Sequence, residues 1–392
     1  MVNGNQQIMI MHKNKLVLFL AMLLVCSGVW ADVETTDKVV ISELSVEPGS
    51  SSVYYFTVSL DGSDTYYTTF EIDLTLPDGL SVATTAKGDL RVSMDKPSLY
   101  PYEIEEQENE DGEIVEVKDY THQLSKAMTG PNRLKVIVLS FENKLFTKTS
   151  GNLFKVYVQA SPYLKPGEVE IGVKALLVTP DEVTYYPEEY TSTSVQASTT
   201  STLSLKVSAD NKFGTCILPF GYDLPADGSL QAYTCNDYSS DAILLTKAER
   251  MEAYQPYILY SQEGFSSTLC GTVDASKYPE GGFVKQGFLV GTLVQKELTA
   301  STSYVMQNQG NGPLFYRVGA TPFVLSAGKC YAELPEGSEA RAIRFDDDAT
   351  GIFETENEKL SGNQGTYDLS GRRVEKLEKG VYIVNGQKVV NW

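Results

Sequence analysis

Histidine is the scarcest functional side chain in this 392-residue sequence: only His12 and His122 occur. A Ser-His-Asp or Cys-His arrangement would need His122, and histidine-based zinc or iron sites fail for want of ligands. His122 lies in "YTHQL" beside an acidic stretch, where a lone histidine reads as an exposed polar residue. The phosphate-cradling P-loop and GxGxxG motifs are absent, and there is hardly a helix to carry one. Cysteine numbers five, without C-x-x-C spacing, which speaks against a tetrathiolate zinc site. Beyond residue 31 no apolar run approaches the about 20 residues that a membrane-spanning helix needs. Basic residues are few: 32 Lys and Arg face 51 Asp and Glu, a formal net charge of −19. Such a balance repels nucleic acid and anionic lipid, and no basic stripe compensates.

What is present starts at the N-terminus. His12, Lys13 and Lys15 lead into the apolar run Leu16–Val25, followed by "CSGVWA". A basic start, a short apolar core and Val29-x-Ala31 form a secretory signal over 1–31, with cleavage between Ala31 and Asp32. Met11 is an alternative start, and a lipidated Cys26 is the rival to cleavage. Removal of the signal leaves Cys216, Cys235, Cys270 and Cys330, all in one region. An even number in an exported chain predicts two disulfides, with three pairings open; four buried thiols are the alternative.

Period-two alternation dominates 34–198: "VVISELSV", "SVYYFTVSL", "TTFEIDLTL", "RLKVIVLSF", "NLFKVYVQA" and "EVEIGVKALLV". Turn residues bound each run, including Pro48-Gly49, Pro77-Asp78-Gly79 and Pro166-Gly167. The pattern predicts an all-β, antiparallel sandwich. Tyr102–Tyr120 is acidic at its centre and reads as a protruding hairpin about Asp111-Gly112, solvated or open to calcium or a cationic partner. Two stretches, Tyr54–Val82 and Arg133–Ala160, resemble the cohesin-like modules of secreted proteins. The shared pieces are an aromatic "TTFEIDLTLPDGL" strand-turn, a "VIVLS" strand and a "SGNLFKVYV" strand. The resemblance implies a jelly-roll sandwich used to bind proteins or glycans, although no dockerin repeat is present.

Tyr190–Ala197 reads as the last strand of this module, and the Ser/Thr-rich Ser198–Thr202 as a flexible spacer with sites for O-linked sugars. A second antiparallel β module, sandwich or barrel, occupies 203–350 and holds every mature cysteine. Its "FGTCILPFGYDLP" and "AGKCYAELP" resemble a β-rich module of multi-modular surface proteins of Gram-negative anaerobes. An acidic linker, 351–362, leads to a tail at 363–392. Ser370-Gly371 and Asn385-Gly386 predict two small hairpins there. The tail is similar to the sorting domains of type IX secretion substrates at Tyr367, Leu369, Gly371, Arg372, Lys379, Gly380, Tyr382 and Gly386. It departs from them in being short and in ending Asn391-Trp392. That likeness implies export to the cell surface, outer membrane or medium, with the export machinery as a partner; without it, the periplasm is the expected site.

The functional reading is a non-catalytic binding or adhesion protein, without cofactor, that takes a glycan or an extracellular protein. Tyrosine faces stack on sugars or anchor protein partners at little entropic cost. The paired tyrosines Tyr66, Tyr67, Tyr185 and Tyr186 are the binding candidates, with one of each pair outward. Asp61, Asp64 and Asp346-Asp347-Asp348 are acidic turns open to calcium, but none matches the EF-hand pattern. Two alternatives stand beside this reading: a polysaccharide-acting enzyme with paired carboxylates, and a structural surface-assembly subunit.

Overall fold

The computed structural model describes residues 33–345 apart from 36, 63, 110–112, 182–183, 188–192, 239–241, 300–301, 309–312 and 335–341. Beyond 345 it describes strands at 366–368, 373–374, 380–384 and 387–391. The stretches read as a signal (1–31) and an acidic linker (351–362) lie outside the described residues. Helix is confined, among the described residues, to the turn Lys96–Leu99 and two 3-10 turns, Ala275–Lys277 and Glu280–Gly282.

The first module opens with β1 (Val33–Thr35), β2 (Lys38–Ile41), β3 (Leu44–Val46), β4 (Tyr54–Asp61) and β5 (Thr69–Thr75). It continues with β6 (Leu80–Val82), β7 (Val92–Met94), β8 (Tyr102–Glu108), β9 (Ile114–Tyr120) and β10 (His122–Gly130). β11 (Arg133–Ser140), β12 (Gly151–Ala160), β13 (Gly167–Val178), β14 (Thr184–Pro187) and β15 (Thr193–Ala197) complete it. An eight-stranded sheet runs β1-β14-β13-β5-β11-β10, with β15 and β3 off that path. A five-stranded sheet runs β2-β4-β12-β6, with β7 also on β12. The pairing is antiparallel except for two short parallel pairs, β1 with β14 and β3 with β15.

Alternation makes the sandwich. Phe56, Val58 and Leu60 of β4 are buried, while Tyr55, Thr57 and Ser59 between them are not. Inward residues of the two sheets meet in one core, where the Phe70 ring of β5 stacks on Phe154 of β12 at 5.6 Å. Burying a side chain of this size contributes roughly 1.5–3 kcal/mol. A bulge between Asn152 and Phe154 turns both Leu153 and Phe154 inward.

The Ser/Thr-rich stretch is not a flexible spacer. Ser198 N–H donates to Val46 O (2.9 Å), and Thr202 N–H donates to Pro48 O (3.1 Å). Ser201 is fully buried, and its hydroxyl donates to Pro162 O (2.7 Å). Composition suggested solvation, but each of these groups finds a partner in the first module. Tyr278 Oη adds a bond to Tyr163 O (2.9 Å). Two glycines with positive φ permit the approach. A Cβ on Gly49 would lie 1.7 Å from Thr202 O, and one on Gly328 would lie 2.0 Å from the Tyr163 hydroxyl. Both modules accordingly belong to one compact unit.

The second module resolves as a sandwich of two five-stranded sheets, with two-stranded pairs beside them. Phe213–Ile217 of one sheet packs on Lys329–Glu333 of the other through Thr215. Its hydroxyl donates to Cys330 O (3.2 Å) and accepts from Cys330 N–H (3.1 Å). The C-terminal unit forms a four-stranded antiparallel sheet in the order Arg373–Val374, Thr366–Asp368, Gly380–Val384, Gln387–Asn391. The strands that flank Ser370-Gly371 and Asn385-Gly386 pair as those two hairpins require, while the turn residues lie outside the described residues.

Candidate binding surface

The outward face of the five-stranded sheet follows from strand parity. β4 presents Tyr55, Thr57 and Ser59; β12 presents Lys155 and Tyr157; β7 presents Ser93. Register then builds rows across the sheet. Tyr55 pairs with Tyr157, and Thr57 with Lys155, which pairs in turn with Ser93. The Tyr55 and Tyr157 rings lie 5.8 Å apart at 48°. Tyr55 is 54% exposed, so its ring is offered to solvent. Arg91 places its guanidinium carbon 4.5 Å from the Tyr157 ring centroid, and Lys155 Nζ lies 5.8 Å from that of Tyr55. Lys155 is compensated by Asp95 at 3.5 Å. The result is an aromatic platform flanked by cations and hydroxyls.

The outward face of the larger sheet differs. Lys135 of β11 bonds to Glu71 and lies 3.5 Å from Asp73, so its charges are largely satisfied within the face. From the same sheet edge, β8 and β9 project as a separate two-stranded ribbon. Four carboxylates of β8 (Glu103, Glu105, Glu106, Glu108) and two of β9 (Glu116, Asp119) line it, with Glu106 opposite Glu116. Ile104 and Ile114 on this ribbon are exposed. Tyr102 and Tyr120 lie 5.5 Å apart at its base, tilted at 52°, with Lys118 4.2 Å from the Tyr102 ring. The predicted hairpin is thus present, with its tip outside the described residues.

Of the tyrosines singled out from the sequence, Tyr66 is exposed, whereas Tyr67 is fully buried and donates its hydroxyl to Asp37. The backbone of Tyr185 and Tyr186 forms β14; their side chains lie outside the described residues. Tyr55 and Tyr157 were not singled out. The alternation in "SVYYFTVSL" marks Tyr55 or Tyr54 as outward, but only long-range register brings Tyr157 beside it.

His122 is not an exposed loop residue. It opens β10 at 3% exposure, against the rings of Phe146 (5.0 Å) and Tyr100 (5.4 Å). Nε2 donates to Thr68 O (3.1 Å), and Nδ1 lies 3.0 Å from Thr121 Oγ1. Burial lowers its pKa to about 4, against the pull of the Thr68 and Lys144 backbone. Both ring nitrogens serve structure: Nε2 meets a backbone carbonyl, and the Thr121 hydroxyl beside Nδ1 also lies 3.3 Å from Pro101 O.

No disulfide links Cys216, Cys235, Cys270 and Cys330; Cys270 is exposed and the other three are buried. Register accounts for this. Cys216 pairs with Tyr257, Cys235 with Leu245, Cys270 with Thr202 and Cys330 with Gly291, so no ladder sets two cysteines opposite each other. Cys330 Sγ donates to Cys216 O at 3.0 Å. Burial pushes the Cys216 thiol up to about 12 and Cys330 well above its ordinary value.

A cleft in the second module is floored by Phe213, Val305 and Phe323 and rimmed by Asn211, Gln307 and Lys329. Asn308 Nδ2 donates to Asn211 Oδ1 across its mouth (3.1 Å). Among the described residues no group of three His, Cys, Asp or Glu is placed to hold a metal. Asp346-Asp347-Asp348 lie outside them, as do Leu369, Gly371, Arg372, Lys379 and Gly386 of the tail. Tyr367, Gly380 and Tyr382 lie in its strands. Among the described residues no helix is long and apolar enough to cross a membrane.

No protein-family model matches the chain, nor does any curated protein sequence. Solved structures that resemble it include cohesin modules. The cohesin CaCohA2 of Clostridium acetobutylicum is 10% identical, at TM-score 0.30, over 41% of this chain and 90% of its own. The OlpA cohesin of Clostridium thermocellum, solved in complex with a dockerin, is 14% identical, at TM-score 0.30, over 42% and 99%. BcpA, the major pilin subunit of Bacillus cereus, is 11% identical, at TM-score 0.26, over 79% and 69%.

Proposed function

We propose that this is an exported, non-catalytic surface or secreted protein that captures a glycan on the outward face of its five-stranded sheet. The observation that carries the proposal is the exposed Tyr55 ring beside Tyr157, bordered by Arg91, Lys155, Thr57 and Ser93. A sugar ring presents apolar C–H groups to an aromatic face and hydroxyls to polar neighbours, and a pleated surface holds both in fixed register. The second module, joined stiffly through Ser201 and Tyr278, serves as the stalk. The C-terminal sheet serves as the export address.

The ribbon favours a second reading. Exposed Ile104 and Ile114 on a projecting acidic hairpin suit an extracellular protein partner with a basic surface. The test is an oligosaccharide array probed with the mature chain and with Tyr55→Ala, followed by product chromatography. Binding that the substitution removes, with the sugar recovered intact, supports glycan capture. Released shorter products would overturn the non-catalytic assignment, and binding indifferent to Tyr55 would move the site elsewhere.

A further inference from the structure

Arg91 is the one cation of the Tyr55 platform without a compensating acid. Its only side-chain partner among the described residues is the Tyr157 ring. Its backbone is fixed, with N–H donating to Ala83 O (2.8 Å) and the carbonyl accepting from Tyr157 N–H (3.0 Å). Lys155 beside it is already held by Asp95, which also accepts from Asn152 Nδ2 (2.9 Å). A guanidinium against an aromatic ring loses little further freedom on binding, and its planar donor fork matches a planar carboxylate through two parallel hydrogen bonds.

We infer that the platform selects acidic sugars: the pyranose lies on Tyr55 and its carboxylate takes the free fork of Arg91. This rests on glycan capture at Tyr55. A single uncompensated cation fits a monoanionic uronate better than a more highly charged phosphate. The chain's net charge of −19 opposes any anion at long range. An acidic molecule does not gather polyanions through its overall field, so recognition of an anion depends on short-range contacts. Ser93 and Thr57, in register on either side of Lys155, supply hydroxyls for the sugar's own.

The test is calorimetric titration of the full mature chain with uronic-acid oligosaccharides and with their carboxyl-reduced, neutral counterparts. The chain should bind the uronates tighter by roughly 10- to 100-fold, the range of a charge-assisted bidentate contact. Arg91→Ala should erase that preference, so that acidic and neutral sugars bind alike. Arg91→Lys should restore only part of it, because an ammonium lacks the fork. Equal binding of acidic and neutral sugars overturns the inference and leaves Tyr55 as a neutral-glycan platform. Binding of neither class overturns the inference and the glycan reading together. Circular dichroism of each variant separates these results from misfolding.

Discussion

Protonation of His122 should weaken the first module in a defined pH window. The imidazole is buried against Phe146 and Tyr100, and its pKa falls to about 4 from the ordinary 6.5. The folded state therefore holds the neutral ring, while the unfolded chain takes up the proton near pH 6.5. Stability from this site is full above about pH 6.5 and is lost as pH falls towards 4, below which the loss levels off. The shift sets a ceiling of about 3 kcal/mol, of which about 2 kcal/mol is gone by pH 5. Carboxylates also titrate there, so the informative quantity is the difference between the parent and His122→Gln across pH 7.5 to 4.5 in denaturant titrations. The parent should lose about 2 kcal/mol more than the variant between pH 7 and 5. The chain has only His12 and His122, so the imidazole proton resonance that His122→Gln removes gives the folded pKa directly. A midpoint near 6.5, or parallel stability curves for the two proteins, would refute the reasoning.

Other expectations follow from the same contacts. A maleimide reagent should label Cys270 alone in the native protein, and the other three only after unfolding, read by mass spectrometry of peptides. Gly328→Ala should cost about 2 kcal/mol or more, since its positive φ and the Tyr163 ring both oppose a side chain. Limited proteolysis of that variant should show cutting near Ser198–Thr202 that the parent resists. Phe154→Ala should cost about 3–5 kcal/mol in thermal or denaturant unfolding, because its ring joins the two sheets.

Alternation made the strands of the first module legible: the "VYYFTVSL" run buries every second residue, as the period of a half-buried sheet requires. The hairpins at Asn385-Gly386 and about Asp111-Gly112 were legible for the same kind of reason, since turn chemistry is local. The parallel edge pairs β1–β14 and β3–β15 were not, because they join segments far apart in the chain. Ser198–Thr202 misled through composition: hydroxyl-rich stretches look solvated until a neighbouring module supplies carbonyls such as Pro162 O. His122 misled likewise, because a polar residue at a strand start is buried only when the tertiary structure brings Thr68 and Phe146 to it. The binding platform was half legible. Tyr55 belongs to an evident strand, but its partner Tyr157 and the guanidinium of Arg91 arrive by register across three strands.

The central claim is that the Tyr55–Tyr157 face is where this protein meets its ligand. Its most direct test is the affinity of the mature chain and of Tyr55→Ala/Tyr157→Ala for the tightest-binding oligosaccharide, with unfolding midpoints measured alongside. Loss of at least about tenfold in affinity, the scale of an anchoring aromatic, with the midpoint little changed is the predicted result. Undiminished binding by the double variant would contradict the account.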